Sequence, residues 1–274
     1  MPELPEVETT RRFLEPVLVR RRIMAADVRR ARMVRHQPGD FPGRVVGRTI
    51  RSLRRHGKFM LADLSGDMTW VTHLGMSGRI SVARRGSPEV PHTNVVIRVG
   101  GGTELRFVDP RTFGFVVAYT PEELAASSIA RLGPDVLDDP PSPSLLASRL
   151  AGRTAPVKAL LLDQRIVAGL GNIYADEALH RAGIDPRRSG GSLDEVELRR
   201  LSRAIGSTMA DGLAWGGTSL DDLAYLLPDG RAGEFAERLA VYGRGDEPCG
   251  TCGTPIRQVV LRQRSTHWCP ICQR

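Results

Sequence analysis

Lysine is almost missing from this chain. Of 39 basic side chains in 274 residues, only Lys58 and Lys158 are lysines, and the rest are arginine. We read the bias as compositional drift; against survival by chance, each of the two lysines is a candidate place where a compact, tunable point charge serves and a planar guanidinium does not. Long apolar runs are lacking too. No stretch approaches the roughly 20 residues that span a bilayer. The N-terminus is acidic and proline-containing, which excludes a basic-then-apolar signal peptide and points to a cytoplasmic protein. Cysteine is confined to four residues near the C-terminus, for which two disulfides are the weaker reading in a cytoplasmic protein. What is abundant is positive charge: a formal net charge of +8 and a pI near 10.0 favour a polyanionic partner, nucleic acid ahead of a membrane surface.

The chain is long enough for two domains. A helix is expected from Pro5 to Leu18, because Pro5 suits a first helical turn and Glu6 and Glu8 lie near its positive end. Short strands with glycine turns follow: 44–47 with 49–50, then 58–64, 68–74, 95–99, 103–108 and 113–119. That pattern predicts an antiparallel sandwich or barrel ending near Gly133-Pro134. Residues 134–144 have a linker composition, Asp138-Asp139-Pro140-Pro141-Ser142-Pro143 at its centre. Beyond it the periodicity turns helical, over 145–150, 156–163, 172–182 and 193–213, stopped by Gly216-Gly217.

Two stretches carry chemistry. The first is Met1-Pro2-Glu3-Leu4-Pro5-Glu6. If the initiator methionine is clipped, Pro2 presents a secondary amine whose pKa lies well below that of lysine, and its attack on an aldehyde-like carbon gives an electron-withdrawing iminium directly. Glu3 stands beside it to pass protons. The competing reading is a proline-rich arm whose acids merely cap a helix. The second stretch is Cys249-Gly-Thr-Cys252, sixteen residues, then Cys269-Pro-Ile-Cys272. Paired Cys-x-x-Cys turns offer four soft thiolates to one tetrahedral metal. Zinc fits best, as a closed structural site with no open position, and iron would fit the same ligands.

In chain order stand Pro2-Glu3-Leu4-Pro5-Glu6-Val7-Glu8, Gly57-Lys58, the run from Gly169 through Asn172 and Tyr174 to Glu177, and the cysteine pairs. Together, over essentially the whole chain, they resemble the formamidopyrimidine-DNA glycosylase family, whose relatives include endonuclease VIII. The resemblance implies a two-domain α+β fold: an N-terminal helix-flanked β-sandwich and a C-terminal helix–two-turns–helix domain with a zinc β-hairpin. The implied division is a catalytic sandwich over 1–133, a linker and first helix over 134–152, a DNA-binding domain with a lesion-capping loop over 153–237, and the zinc hairpin over 238–274. DNA is expected in a basic cleft between the domains.

The implied activity is that of a bacterial-type, monomeric DNA glycosylase and abasic-site lyase acting on oxidised purines in duplex DNA. Oxidised pyrimidines, another lesion, or a non-catalytic damage-binding protein are the alternatives. The resemblance casts Pro2 as nucleophile, Glu3 as proton shuttle, Lys58 as a phosphate contact assisting the chemistry, and Arg264 as the phosphate-gripping arginine at the hairpin tip. Met76, Arg111 and Phe113 match a trio that fills the gap left by an extruded nucleotide. His73, His92, Arg153, Lys158 and Asn172 are expected at the DNA backbone. The loop from Gly216 to Phe235 would close over a flipped purine, although Tyr225-Leu226-Leu227-Pro228 is unusually apolar for that task.

Overall fold

A computed structural model describes residues 2–220 and 225–274, and divides into two compact units. Unit 1 joins the first 131 residues to Trp215–Ala236, and unit 2 holds Leu132–Ala214 and Glu237–Arg274, so the units do not follow chain order.

Unit 1 opens with helix α1 (Leu4–Leu18), whose Leu4, Val7, Leu14 and Leu18 form one buried stripe. Two antiparallel four-stranded sheets follow. One is ordered β1 (Ile23–Val28), β6 (Thr93–Val99), β7 (Thr103–Val108), β5 (Arg79–Arg84). The other is ordered β2 (Ile50–His56), β3 (Phe59–Leu64), β4 (Met68–His73), β8 (Phe115–Tyr119). Both sheets and α1 send residues into one core, with Ile97, Leu105 and Phe107 from the first sheet meeting Met60, Trp70 and Val116 from the second. This is the expected helix-flanked sandwich.

The expected strand over 44–47 is instead the end of helix α2 (Phe41–Val45). Asp40 caps it by accepting the Gly43 N–H at 2.9 Å, and Pro42 fills its first turn, two helix-start signals that outweigh the β-branched pair Val45-Val46. Strands β1 and β5 were not singled out from the sequence. Arg79-Ile-Ser-Val-Ala-Arg84 does carry the alternation of a strand, whereas β1 is broken by a register shift between Ile23 and Ala25.

Unit 2 contains α4 (Pro143–Leu150, after the short α3, Pro121–Ala126, of unit 1), α5 (Val157–Leu161), α6 (Asn172–Ala182) and α7 (Glu195–Ala214). It closes with the two-stranded ribbon of β9 (Arg257–Leu261) and β10 (Arg264–Trp268). Glu177 of α6 accepts the backbone N–H groups of Ala240, Val241 and Tyr242 at 2.8 to 3.0 Å, which fixes the approach to the ribbon. The proline-rich stretch is not a free tether at its start. Val136 is fully buried and pairs its N–H with the Ala168 carbonyl at 3.0 Å. Among the described residues no helix is long and apolar enough to cross a membrane.

Candidate active site and nucleic-acid interface

In unit 1 the start of α1 is held by one carboxylate. Glu3 and Glu6 stand at capping-box spacing, and the Glu3 N–H donates to Glu6 Oε2 at 2.7 Å. The other Glu6 oxygen accepts the Thr218 N–H at 2.7 Å. Pro2, Glu3 and Glu6 are all buried. Gly217 is the residue this contact requires. Its φ is +86°, and a Cβ there would lie 2.8 Å from Glu6 Cγ.

The apolar segment questioned above proves to be a foot. Tyr225 is buried, and its hydroxyl donates towards the Gly216 carbonyl at 3.1 Å. Ser219 accepts the Gly233 N–H at 2.8 Å and donates to the Tyr225 carbonyl at 2.8 Å, closing the base of the expected lesion loop. Burial and the nearby Glu6 carboxylate push the Tyr225 phenol above its ordinary range. Residues 221–224 of that loop lie outside the described residues.

Lys58 follows Gly57 in the tight turn between β2 and β3 and is 9% exposed. Arg55, buried on β2, donates to the Gly57 carbonyl at 3.0 Å and to Glu8 Oε2 at 3.2 Å. Glu8 is on α1, so the helix that begins with the Pro2-Glu3 pair is tied to the turn that carries Lys58. Burial pushes the Glu8 carboxyl up, but bonds from Arg11 and Arg12 and the charge of Arg55 prevail and hold it below the usual carboxylate range.

His73 ends β4. Its Nδ1 accepts the Gly75 N–H at 3.1 Å, and its ring stacks on Phe115 at 5.5 Å between centroids. Burial, then the charges of Lys58 and Arg35, push it down to about 4, so the ring is neutral near pH 7 and presents Nε2–H as a donor. The next turn carries Met76, half-buried. Phe113 is 38% exposed, with the Arg111 guanidinium 4.9 Å from its ring centroid and that of Arg32 at 5.8 Å. His92 is exposed and lines a cavity of about 670 Å³ together with Arg29, Arg30, Arg32 and Thr112.

In unit 2, Arg264 is exposed directly after the two-residue turn Arg262-Gln263, both at positive φ, that joins β9 to β10. Arg153 is exposed as well. Asn172 begins α6 and donates through Nδ2 to the Ser265 carbonyl at 3.0 Å and to its hydroxyl at 3.1 Å. Lys158, expected at the DNA backbone, has an inward placement here. It is 1% exposed, and its ammonium turns inward to the Ser265 carbonyl at 2.6 Å, the Thr266 hydroxyl at 2.9 Å and Asp176 Oδ1 at 2.7 Å. The Ser265 carbonyl and the Thr266 hydroxyl accept hydrogen bonds from it, and Asp176 balances its charge. The second Asp176 oxygen accepts the His267 N–H at 2.9 Å. Lys158, Asn172 and Asp176 therefore fasten the strand that presents Arg264.

The four cysteines converge. All four sulfur atoms lie within 4.8 Å of one another, with Cys249 to Cys272 at 3.9 Å and Cys252 to Cys269 at 3.4 Å. A disulfide would need about 2.05 Å, and a tetrahedral zinc with bonds near 2.3 Å spaces its thiolates about 3.8 Å apart. The donor set fits one structural zinc, held in two reverse turns. Sequence reasoning passed over Arg55, Asp109 and Asp176. Their signals were a buried-strand arginine, an acid opening the segment Asp109-Pro-Arg-Thr-Phe-Gly114, and an acid at helical spacing from Asn172.

The comparisons with known proteins agree along the whole chain. Residues 1–116 match the formamidopyrimidine-DNA glycosylase N-terminal domain, residues 132–223 its H2TH domain, and residues 246–274 the zinc finger found in FPG and IleRS. A formamidopyrimidine-DNA glycosylase from Geobacillus kaustophilus is 44% identical over 277 residues, covering 100% of each chain. The crystal structure of the MutM (Fpg) protein from Thermus thermophilus is 42% identical, with a TM-score of 0.90 over 99% of this chain and 98% of that one. A Lactococcus lactis Fpg mutant in complex with Fapy-dG containing DNA is 31% identical, with a TM-score of 0.92 over 100% of both chains.

Proposed function

We propose that this chain, which belongs to the formamidopyrimidine-DNA glycosylase family, is a bifunctional DNA glycosylase and abasic-site lyase that removes oxidised purines from double-stranded DNA. The observation that carries the reading is the clasped start of α1, where Glu6 holds a buried Pro2-Glu3 pair in a chain alignable end to end with a relative bound to Fapy-dG DNA.

With Met1 removed, the Pro2 amine attacks the sugar C1′. The C1′–N bond breaks, and its electron pair leaves with the base, which takes up a proton. Glu3 delivers and recovers protons as the sugar ring opens to the iminium. That iminium draws electrons towards itself, so loss of a C2′ proton expels the 3′ phosphate, and a second elimination expels the 5′ phosphate. Lys58 supplies a compact positive charge to the phosphate beside the reacting sugar. Arg264 grips the flanking phosphates and supports the second elimination.

Met76, Arg111 and Phe113 fill the gap, and His73, His92, Arg153 and Asn172 hold the backbone. We assign Lys158 to the interior, as the support beneath Arg264. Residues 1–133 perform the chemistry, 153–237 grip DNA and cap the lesion, and 238–274 carry the structural zinc. The bacterial sources of the relatives and the basic charge support a working place beside the bacterial chromosome.

Borohydride trapping tests the nucleophile. The mature protein should form a covalent adduct with duplex DNA carrying an oxidised purine, and Pro2→Gly should lose most of it. Full trapping by protein whose N-terminus is blocked sinks the mechanism.

A further inference from the structure

Two loops that are far apart in sequence share one buried carboxylate. Asp109, at the end of β7, is fully buried. Its Oδ1 accepts the Ser77 hydroxyl at 2.6 Å and the Arg111 N–H at 3.2 Å, and its Oδ2 accepts the Gly114 N–H at 2.7 Å. Ser77 adjoins Met76, and Arg111 and Gly114 flank Phe113. Arg35 grips the same loop from the other side, donating to the Phe113 and Gly114 carbonyls, each at 2.8 Å. Its guanidinium lies over the Phe115 ring at 5.3 Å.

The loops are in backbone contact. A Cβ on Gly75 would lie 2.4 Å from the Gly114 nitrogen. Thr112 sits at φ +52°, a conformation that a β-branched residue adopts only when its surroundings impose it. The carboxylate and guanidinium on either side supply that constraint.

We propose that Asp109 and Arg35 form a two-sided brace that locks the Met76 and Phe113 loops into a single wedge, making both of them positioning residues for recognition of the base opposite the lesion. The proposal rests on the gap-filling role assigned to Met76, Arg111 and Phe113. Hydrogen bonds that read a base edge depend steeply on distance and angle. A loosened Arg111 therefore loses discrimination before the excision chemistry fails, because Pro2, Glu3 and Lys58 are carried by α1 and the β2–β3 turn.

The test uses full-length zinc-loaded protein and compares kcat/KM for one oxidised purine opposite cytosine and opposite adenine. Asp109→Asn keeps the shape but turns an amide N–H towards a backbone or hydroxyl donor. Arg35→Met removes both carbonyl contacts at an exposed residue, so it leaves folding intact. The brace predicts that Asp109→Asn collapses the opposite-base ratio by ~10-fold and Arg35→Met by ~3-fold, within the range that one good base contact provides. Lyase activity on a preformed abasic site in single-stranded DNA should stay close to the parent's.

Arg111→Ala is the control. If it leaves the ratio unchanged, the gap-filling assignment itself fails. If it removes the ratio while Asp109→Asn and Arg35→Met keep it, the brace is overturned, whatever those variants do to the melting temperature.

Discussion

Replacing Lys158 by methionine, which keeps length and bulk but removes the charge, should destabilise unit 2 by about 3–5 kcal/mol. The magnitude follows from the surroundings. Asp176 is shut off from solvent: its side chain is 0% accessible, and the Lys158 ammonium lies 2.7 Å from Oδ1. Without the ammonium, a buried carboxylate keeps, among the described residues, its contacts from His267, and the Ser265 carbonyl and Thr266 hydroxyl lose a charged donor. Removing one member of a buried pair costs far more than removing both. Lys158→Met combined with Asp176→Asn should therefore recover at least ~1.5 kcal/mol of the loss, measured as a coupling energy in a double-mutant cycle.

Lys158→Arg is the sharper substitution, because a planar fork cannot turn its donors onto a carbonyl, a hydroxyl and a carboxylate that converge on one point. It should cost about 1–3 kcal/mol through overpacking and misdirected donors. The assay is denaturant unfolding of the zinc-loaded protein, with hydrogen exchange at residues 264–268 reporting on the ribbon. A loss below ~1 kcal/mol in Lys158→Met, or a double variant no better than the single one, would refute the reasoning.

Two further outcomes follow from other sites. His73 is pushed down to about 4 from an ordinary value of 6.5, so its contribution to stability is complete above pH 6.5 and is lost as the pH falls towards 4. For a partly exposed ring this amounts to about 1–3 kcal/mol, and the parent-minus-His73→Gln difference in unfolding free energy should shrink over that window; a flat difference would count against it. Stripping the zinc should abolish exchange protection across residues 257–261, because the apolar cluster beside that strand holds little beyond Val241, Ile256 and the cysteines themselves, whereas β10 keeps its bonds to Lys158, Asn172 and Asp176. Survival of that protection in the metal-free protein would show that the ribbon stands without its metal.

The sandwich and the helices were legible because their signals are local. Glycine turns punctuate strands of the right length in 59–64, 68–73 and 93–108, and α6 begins and ends at the residues its periodicity marks. The zinc site was legible because two Cys-x-x-Cys turns state their ligand geometry outright. What was hidden depended on partners distant in sequence. Nothing near Lys158 in the chain discloses its contacts with Asp176, Ser265 and Thr266. Tyr225 looked misplaced in a polar loop until its burial in unit 1 explained it. Val45-Val46 read as strand because β-branched pairs do, yet Asp40 and Pro42 had already started a helix. Asp109 was quoted as part of a motif, but its grip on Ser77 spans 32 residues and shows only in three dimensions.

The paired backbone of Thr218 and Glu234 makes a narrow neck, and Glu6 clamps one side of it. What lies between those two positions stands on a footing that reaches the start of α1, because the Tyr225 hydroxyl also donates to the Glu6 carbonyl at 3.4 Å. Under the proposed mechanism, selection has room to rewrite the loop around Ser219 and Tyr225 to accept a new damaged base while those two residues keep the footing, and a loop grafted from a relative should carry its preference with it only if it retains both.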